Sequence, residues 1–213
     1  MIALGILIYS NTLDNEFVFD DIPNIEQNQN TREVANIQNV LDTSGRRPLG
    51  IFTFAINYHF NKLDTTWYHA VNILIHILNA LIILWLINLI SLTPKINSNV
   101  LKYYNTTFAF ITAIFFISHP IQTQAVTYIV QRFTSLSCMF YLLATAFYLK
   151  ARLSQNNSSR LFYILIVFIC FLSGILTKEI VYTLPLIIII VDILFFSNVT
   201  ILKKYLLSKW KVI

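Results

Sequence analysis

The sequence predicts an all-α, polytopic integral membrane bundle, and three observations lead there. Of 213 residues, 56% are hydrophobic and only 12% are charged, whereas a soluble domain carries roughly 25% charged residues. The apolar residues gather into runs long enough to cross a bilayer, which takes about 20 residues for ~30 Å of hydrocarbon. Basic residues fall in alternate gaps between those runs, the pattern of a chain threaded through a membrane. Glycine and proline number only four and five, which excludes a disordered or collagen-like chain.

The opening run, residues 2–9, gives about 12 Å of helix. It lacks the basic n-region and cleavage site of a signal peptide. The expectation is the outer end of a truncated first transmembrane helix. Residues 10–67 follow as a first outside loop with short interfacial helices, the clearest at 49–60. Full spans are predicted at 68–90, at 133–149 with an apolar approach from 121, at 161–177 and at 180–196. Another, 100–118, is long enough when Lys102 snorkels at one end. Residues 68–197 thus form a five-helix membrane bundle, and 198–213 a basic cytoplasmic tail.

Orientation follows from the charges. With residues 10–61 outside, the inside segments are 91–105, 150–160 and 197–213. They hold Lys95, Lys102, Lys150, Arg152, Arg160, Lys203, Lys204, Lys209 and Lys211, with no acid among them. The acids Asp14, Glu16, Asp20, Asp21, Glu26, Glu33 and Asp42 gather in the first loop instead. Sequons at Asn105, Asn156, Asn157 and Asn198 fall inside, out of reach of a lumenal glycosylating enzyme. The net charge of +5 therefore reflects topology. No basic run lies beside stacking aromatics on a polar segment, so nucleic acid is not an expected partner. Cys138 and Cys170 lie in apolar runs without metal spacing and read as packing residues. No metal and no cofactor is expected.

Five constellations and one lone acid carry polar chemistry. Phe17-Val18-Phe19-Asp20-Asp21-Ile22-Pro23 sets adjacent carboxylates after an apolar triplet, where reduced solvation pushes a carboxyl towards a useful base. The pair could equally bind a cation or face water. Gly45-Arg46-Arg47-Pro48 offers two guanidinium groups at the membrane surface, suited to a lipid phosphate or simply to anionic headgroups. His69, Asn72, His76 and Asn79 form one stripe of a helix. Its histidines lie about 10.5 Å apart, too far for one ion, so interhelical hydrogen bonding is the better reading. Gln124, Thr127, Gln131, Thr134 and Cys138 form a second stripe pointing inward from His119-Pro120, with Arg132 off it and either holding a phosphate or snorkelling. Lys178-Glu179 reads as an internal ion pair, and Asp192 as a buried hydrogen-bonding acid.

Read together, four stretches resemble the membrane half of the transmembrane and tetratricopeptide-repeat O-mannosyltransferases and their bacterial relatives. They are FVFDDIPNI at 17–25, RPLGIFTFAINYHFNKLDTTWYHAVNILIHILNA at 47–80, HPIQTQAVTYIVQR at 119–132 and TKEIVYTLPL at 177–186. That group belongs to the GT-C superfamily of polyprenyl-phosphate-dependent glycosyltransferases. The resemblance implies a GT-C-like fold and transfer of a sugar, such as mannose, from a polyprenyl-phosphate carrier to a protein or glycan hydroxyl, with inversion. It implies that an acid of the first loop is the base, which points to Asp20 and Asp21. Arg47, His119, Arg132, Lys178 and Glu179 fall in the neighbouring motifs. Of these, Arg47, Arg132 and Lys178, with Arg46, are the candidates for the donor phosphate, and His119, Gln124 and Glu179 are further site candidates.

The chain departs from the family pattern in two ways. Gln124 stands where many relatives carry Glu, which removes a possible second acid. The family also has roughly twice as many membrane helices, followed by tetratricopeptide repeats. The expectation is a fragment, a split gene product whose second chain supplies the missing helices and repeats, or a decayed copy. The competing reading is a non-catalytic membrane scaffold remnant. A transporter half is disfavoured, because no unwound helix is apparent at mid-membrane. The expected setting is a bacterial inner membrane with the first loop facing the periplasm or exterior.

Overall fold

The structure, a computed structural model, describes residues 1–32, 47–96 and 99–197. Among these residues every regular element is helical: α1 (Ile2–Tyr9), α2 (Pro48–Asn61), α3 (Thr65–Ser91), α4 (Asn99–Ser118), α5 (Thr123–Thr127), α6 (Arg132–Leu153), α7 (Asn157–Ile175) and α8 (Leu184–Phe195). Short 3-10 turns join them, at Ser10–Thr12, Pro120–Gln122, Ile129–Gln131 and Glu179–Thr183, with one wider π turn at Ile22–Glu26. Arg46 and the basic tail lie outside the described residues.

Local chemistry sets the boundaries. Helix α2 opens on Pro48, which has no N–H to leave unpaired. The next donor, Leu49 N–H, meets the Leu176 carbonyl just past α7 at 3.0 Å, so the first loop is tied to the bundle. Asp64 caps α3 by accepting from Thr66 N–H at 3.1 Å, and Asn156 caps α7 by accepting from Ser158 N–H at 3.0 Å. Helix α4 ends where Pro120 forces His119 into an extended conformation (φ −71, ψ 127). The His119 Nδ1 then accepts from Ile121 N–H at 3.2 Å. The chain resumes in a new direction, bent by 51°.

Among the described residues, three helical stretches are long and apolar enough to cross a membrane: Thr65–Ser91, Ile129–Leu153 and Asn157–Ile175. The bent pair Tyr104–Ser118 with Pro120–Thr127 makes a fourth when taken as one span. The predicted full span at 180–196 is not one α-helix. It consists of a 3-10 turn, Glu179–Thr183, of about 10 Å, and then the 12-residue α8 of about 18 Å. The apolar approach at 121–131 is likewise not part of one helix. It is divided between α5 and the turn Ile129–Gln131, with Tyr128 extended between them (ψ 111).

Helix α6 packs most closely on α7, and α3 on both α4 and α6. Ala144, Ala146 and Ala151 are fully or almost fully buried, letting backbones approach as interhelical contacts in lipid require. Gly50 serves the same end near the first loop, because a Cβ there would overlap the Phe133 ring. Three members of the polar stripe of α3 have the interhelical role its spacing predicts, and the fourth, His69, reaches the first loop. His69 Nε2 meets the Asn15 carbonyl at 3.2 Å, and His76 Nε2 the Ile117 carbonyl at 3.3 Å. Asn72 donates to the Val126 and Ile129 carbonyls, and Asn79 to that of Ser135 at 2.9 Å. Asp192 is only partly covered. It accepts from Arg152 Nε and from the Tyr148 hydroxyl, each at 2.7 Å.

Candidate functional site

The first loop meets the bundle through a tight turn at Val18–Asp21. Asp21 N–H donates to the Val18 carbonyl at 2.9 Å, and Ile22 N–H to that of Phe19 at 3.2 Å. Phe19 pays for the turn with a left-handed backbone (φ 46), a conformation that persists only where the surroundings enforce it. Its ring is 83% exposed.

This turn sends the adjacent acids to opposite environments. Asp21 is 1% exposed. Its Oδ1 accepts from Val130 N–H at 2.7 Å and its Oδ2 from Val18 N–H at 3.2 Å. The carboxylate thereby clamps the loop onto the break before α6. Burial pushes the Asp21 carboxyl above the ordinary carboxylate range; the Val18 and Val130 amides oppose the shift, and the Asp20 charge adds to it. Asp20 faces solvent. Its backbone N–H donates to the Tyr128 hydroxyl at 2.8 Å, and its carboxylate lies within reach of the same hydroxyl.

A second cluster forms where α2 begins and α7 ends. Arg47 Nη2 lies 3.2 Å from Glu179 Oε2, both side chains 38% exposed, and its guanidinium sits 5.5 Å from the centre of the Phe133 ring. Lys178 does not pair closely with its neighbour Glu179 as the sequence suggests. Its Nζ donates to Thr134 Oγ1 at 2.6 Å, and Thr134 Oγ1 donates to Gln131 Oε1 at 2.6 Å. Partial burial lowers the Lys178 pKa; the nearby Arg47 charge adds to this and Glu179 opposes it. Arg47 and Lys178 thus bring two positive charges to this end of the first loop. A polar line joins the clusters, since Gln131 N–H donates to the Tyr128 carbonyl at 3.0 Å. From Tyr128 to Thr134 the helical rise is about 10 Å.

Other candidates lie elsewhere. Arg132 neither snorkels nor reaches a surface. It is fully buried, and its donors are taken by Asn72 Oδ1 at 2.8 Å, Asn57 Oδ1 at 2.6 Å, the Tyr68 carbonyl at 2.9 Å and the Thr53 carbonyl at 3.3 Å. With Phe54 under its guanidinium at 4.5 Å, it ties α2, α3 and α6 together. The cause is the turn Ile129–Gln131, which rotates the start of α6 inward. Gln124 is exposed on the rim of a cleft, and His119 caps the turn after α4. The second predicted stripe is therefore broken at Tyr128 rather than running down one helix. Tyr128 was not singled out from the sequence; its one signal is its place three residues before Gln131.

No family model and no solved structure matches the chain. Curated relatives do. Over 152 residues the chain is 32% identical to human protein O-mannosyl-transferase TMTC1, a match covering 65% of this chain and 16% of that protein. Over 163 residues it is 32% identical to protein O-mannosyl-transferase tmtc2 of Xenopus laevis, covering 70% of this chain and 18% of that one. Over 201 residues it is 29% identical to protein O-mannosyl-transferase Tmtc3 of Drosophila melanogaster, covering 82% and 21%. The matched stretch thus spans only 16% to 21% of these relatives' length. With its several apolar helices, the chain is a multi-pass membrane protein related to the protein O-mannosyl-transferases.

Proposed function

We propose that the chain forms the reacting part of a membrane glycosyltransferase. It moves a sugar, mannose by kinship, from a polyprenyl-phosphate carrier to a hydroxyl of a protein or glycan, with inversion. The observation that supports this most is the unequal environment of the acid pair. Asp21 is committed to two backbone amides, which leaves Asp20 as the exposed carboxylate at a turn held by Tyr128. In this reading Asp20 takes the acceptor proton as the hydroxyl oxygen bonds to the anomeric carbon. The carbon–oxygen bond to phosphate breaks on the opposite face, and the leaving phosphate carries away the electron pair. Arg47 and Lys178 stabilise that phosphate; Arg47 retains donors beyond the one facing Glu179. The rise of about 10 Å from Tyr128 to Thr134, which stand beside the base and the phosphate site respectively, is of the length of a hexose. The fold is then GT-C-like, with the first loop on the periplasmic or exterior face of a bacterial inner membrane. Helices and tetratricopeptide repeats contributed from outside these 213 residues, by a second chain or further segments, complete the enzyme.

The test is transfer from a synthetic prenyl-phosphate sugar to an acceptor peptide by the complete enzyme that contains this chain, purified and reconstituted. Asp20→Asn is nearly isosteric and should lower turnover by about 10²–10⁴-fold, the worth of a positioned base, with donor binding and membrane insertion unchanged. Equal turnover of Asp20→Asn and the parent refutes the assignment. Donor binding without any transfer by the parent favours the scaffold reading, for which the amide at Gln124 is the supporting feature.

A further inference from the structure

A cleft of about 910 Å³ opens beside the Asp20 turn, between the first loop and the broken segment after α4. Its size is at the upper end for ligand pockets, enough for a chain segment rather than one side chain. Asp14 and Glu16 line it, together with the rings of Phe19 and Tyr128 and the polar groups of Gln124 and Thr127. Among the described residues lining it, none carries a positive charge. Both carboxylates are exposed, and the Phe19 ring is held out at 83% exposure by the left-handed turn. Carboxylates and aromatic faces attract the same partner, a cation, the first by charge and the second through the ring quadrupole. A phosphate is repelled here, whereas Arg47 and Lys178 at the other end of the Tyr128–Gln131–Thr134 line attract one. Charge therefore sorts the two ends of the polar line.

We infer that this cleft is the acceptor subsite, and that it selects a polypeptide whose hydroxyl-bearing residue is flanked by lysine or arginine. The assignment of the cleft to the acceptor rests on the glycosyl-transfer reading, but its preference for a basic peptide does not. An extended peptide lying across Phe19 and Tyr128 brings its serine or threonine to Asp20, with flanking cations on Asp14 and Glu16.

The experiment uses fluorescent peptides with one central threonine flanked by lysine, by glutamate or by neutral residues. Their binding to the 213-residue chain in detergent is read by anisotropy at low and high salt. The lysine-flanked peptide should bind at least tenfold more tightly than the glutamate-flanked one. That ratio should fall towards one in the double variant Asp14→Asn, Glu16→Gln, whose exposed positions leave the fold unaltered. Equal binding of the three peptides overturns the inference, as does displacement of the peptide by a neutral oligosaccharide at lower concentration. A charge preference that survives the double variant also overturns it. Transfer is assayed separately on the same peptides. Charge-selective binding without transfer by the complete enzyme keeps the basic-peptide site and sinks the glycosyl-transfer reading.

Discussion

Asp20 and Asp21 are chemically identical neighbours, and only their surroundings distinguish them. The turn at Phe19 aims Asp21 at the Val18 and Val130 amides and leaves Asp20 outside. The consequence for Asp21 is a pH dependence of definite sign. Its folded pKa is raised by burial, so folding favours the protonated form. The stability it contributes is complete below the ordinary carboxylate pKa of about 3.9 and is lost as pH rises through the raised folded value. Thermal unfolding of the parent, followed by intrinsic fluorescence in detergent, should therefore include a component that weakens over that window. Asp21→Asn should remove that component. It should also cost about 1–3 kcal/mol at acid pH, because one backbone N–H loses its acceptor. Parallel pH profiles for the two proteins would count against the buried-carboxyl account.

At the level of elements, three helices meet at a single side chain. Arg132 joins Thr53 and Asn57 of α2 to Tyr68 and Asn72 of α3, from its place at the head of α6. Its buried charge is tolerable only because neutral oxygens surround it on every side and Phe54 lies beneath it. Arg132→Ala should destabilise the folded bundle by on the order of 3–5 kcal/mol, since several buried acceptors lose their donor together. Arg132→Lys should recover only part of this, because a point charge cannot reproduce the planar fork. Size-exclusion profiles and unfolding temperatures in detergent report both. A wild-type profile for Arg132→Ala would return the residue to a surface or ligand role.

At the level of the whole molecule, four bases and the acids of the first loop lie at opposite ends of the helices. Lys95, Lys150, Arg152 and Arg160 sit at one end, and Asp14, Glu16, Asp20 and Glu26 belong to the loop at the other. The expected topology has that loop outside. With Cys138→Ser and Cys170→Ala as background, a cysteine at the exposed Gln27 should react with an impermeant thiol reagent on intact cells. One at the exposed Gln155, between α6 and α7, should react only after permeabilisation. The reverse labelling overturns the orientation and, with it, the placement of the proposed site.

What the amino-acid sequence determined by itself was the solvent and the broad architecture. Apolar runs of bilayer length and a shortage of charge require helices in lipid, since only there does every backbone polar group of a span find a partner within its own segment. The polar stripe of α3 was legible too, because a period of 3.6 residues puts its four members on one face wherever the helix lies. Tertiary structure decided the rest. Helix α8 is shorter than its apolar run, because the segment after Lys178 turns as a 3-10 helix before Pro185. The break at Tyr128 buried Arg132 and brought the Tyr128 hydroxyl to Asp20, 108 residues away. Glu179 found Arg47 across 132 residues rather than the lysine beside it. Such partners depend on how separate segments fold back on one another, and local periodicity carries no information about distances of that kind.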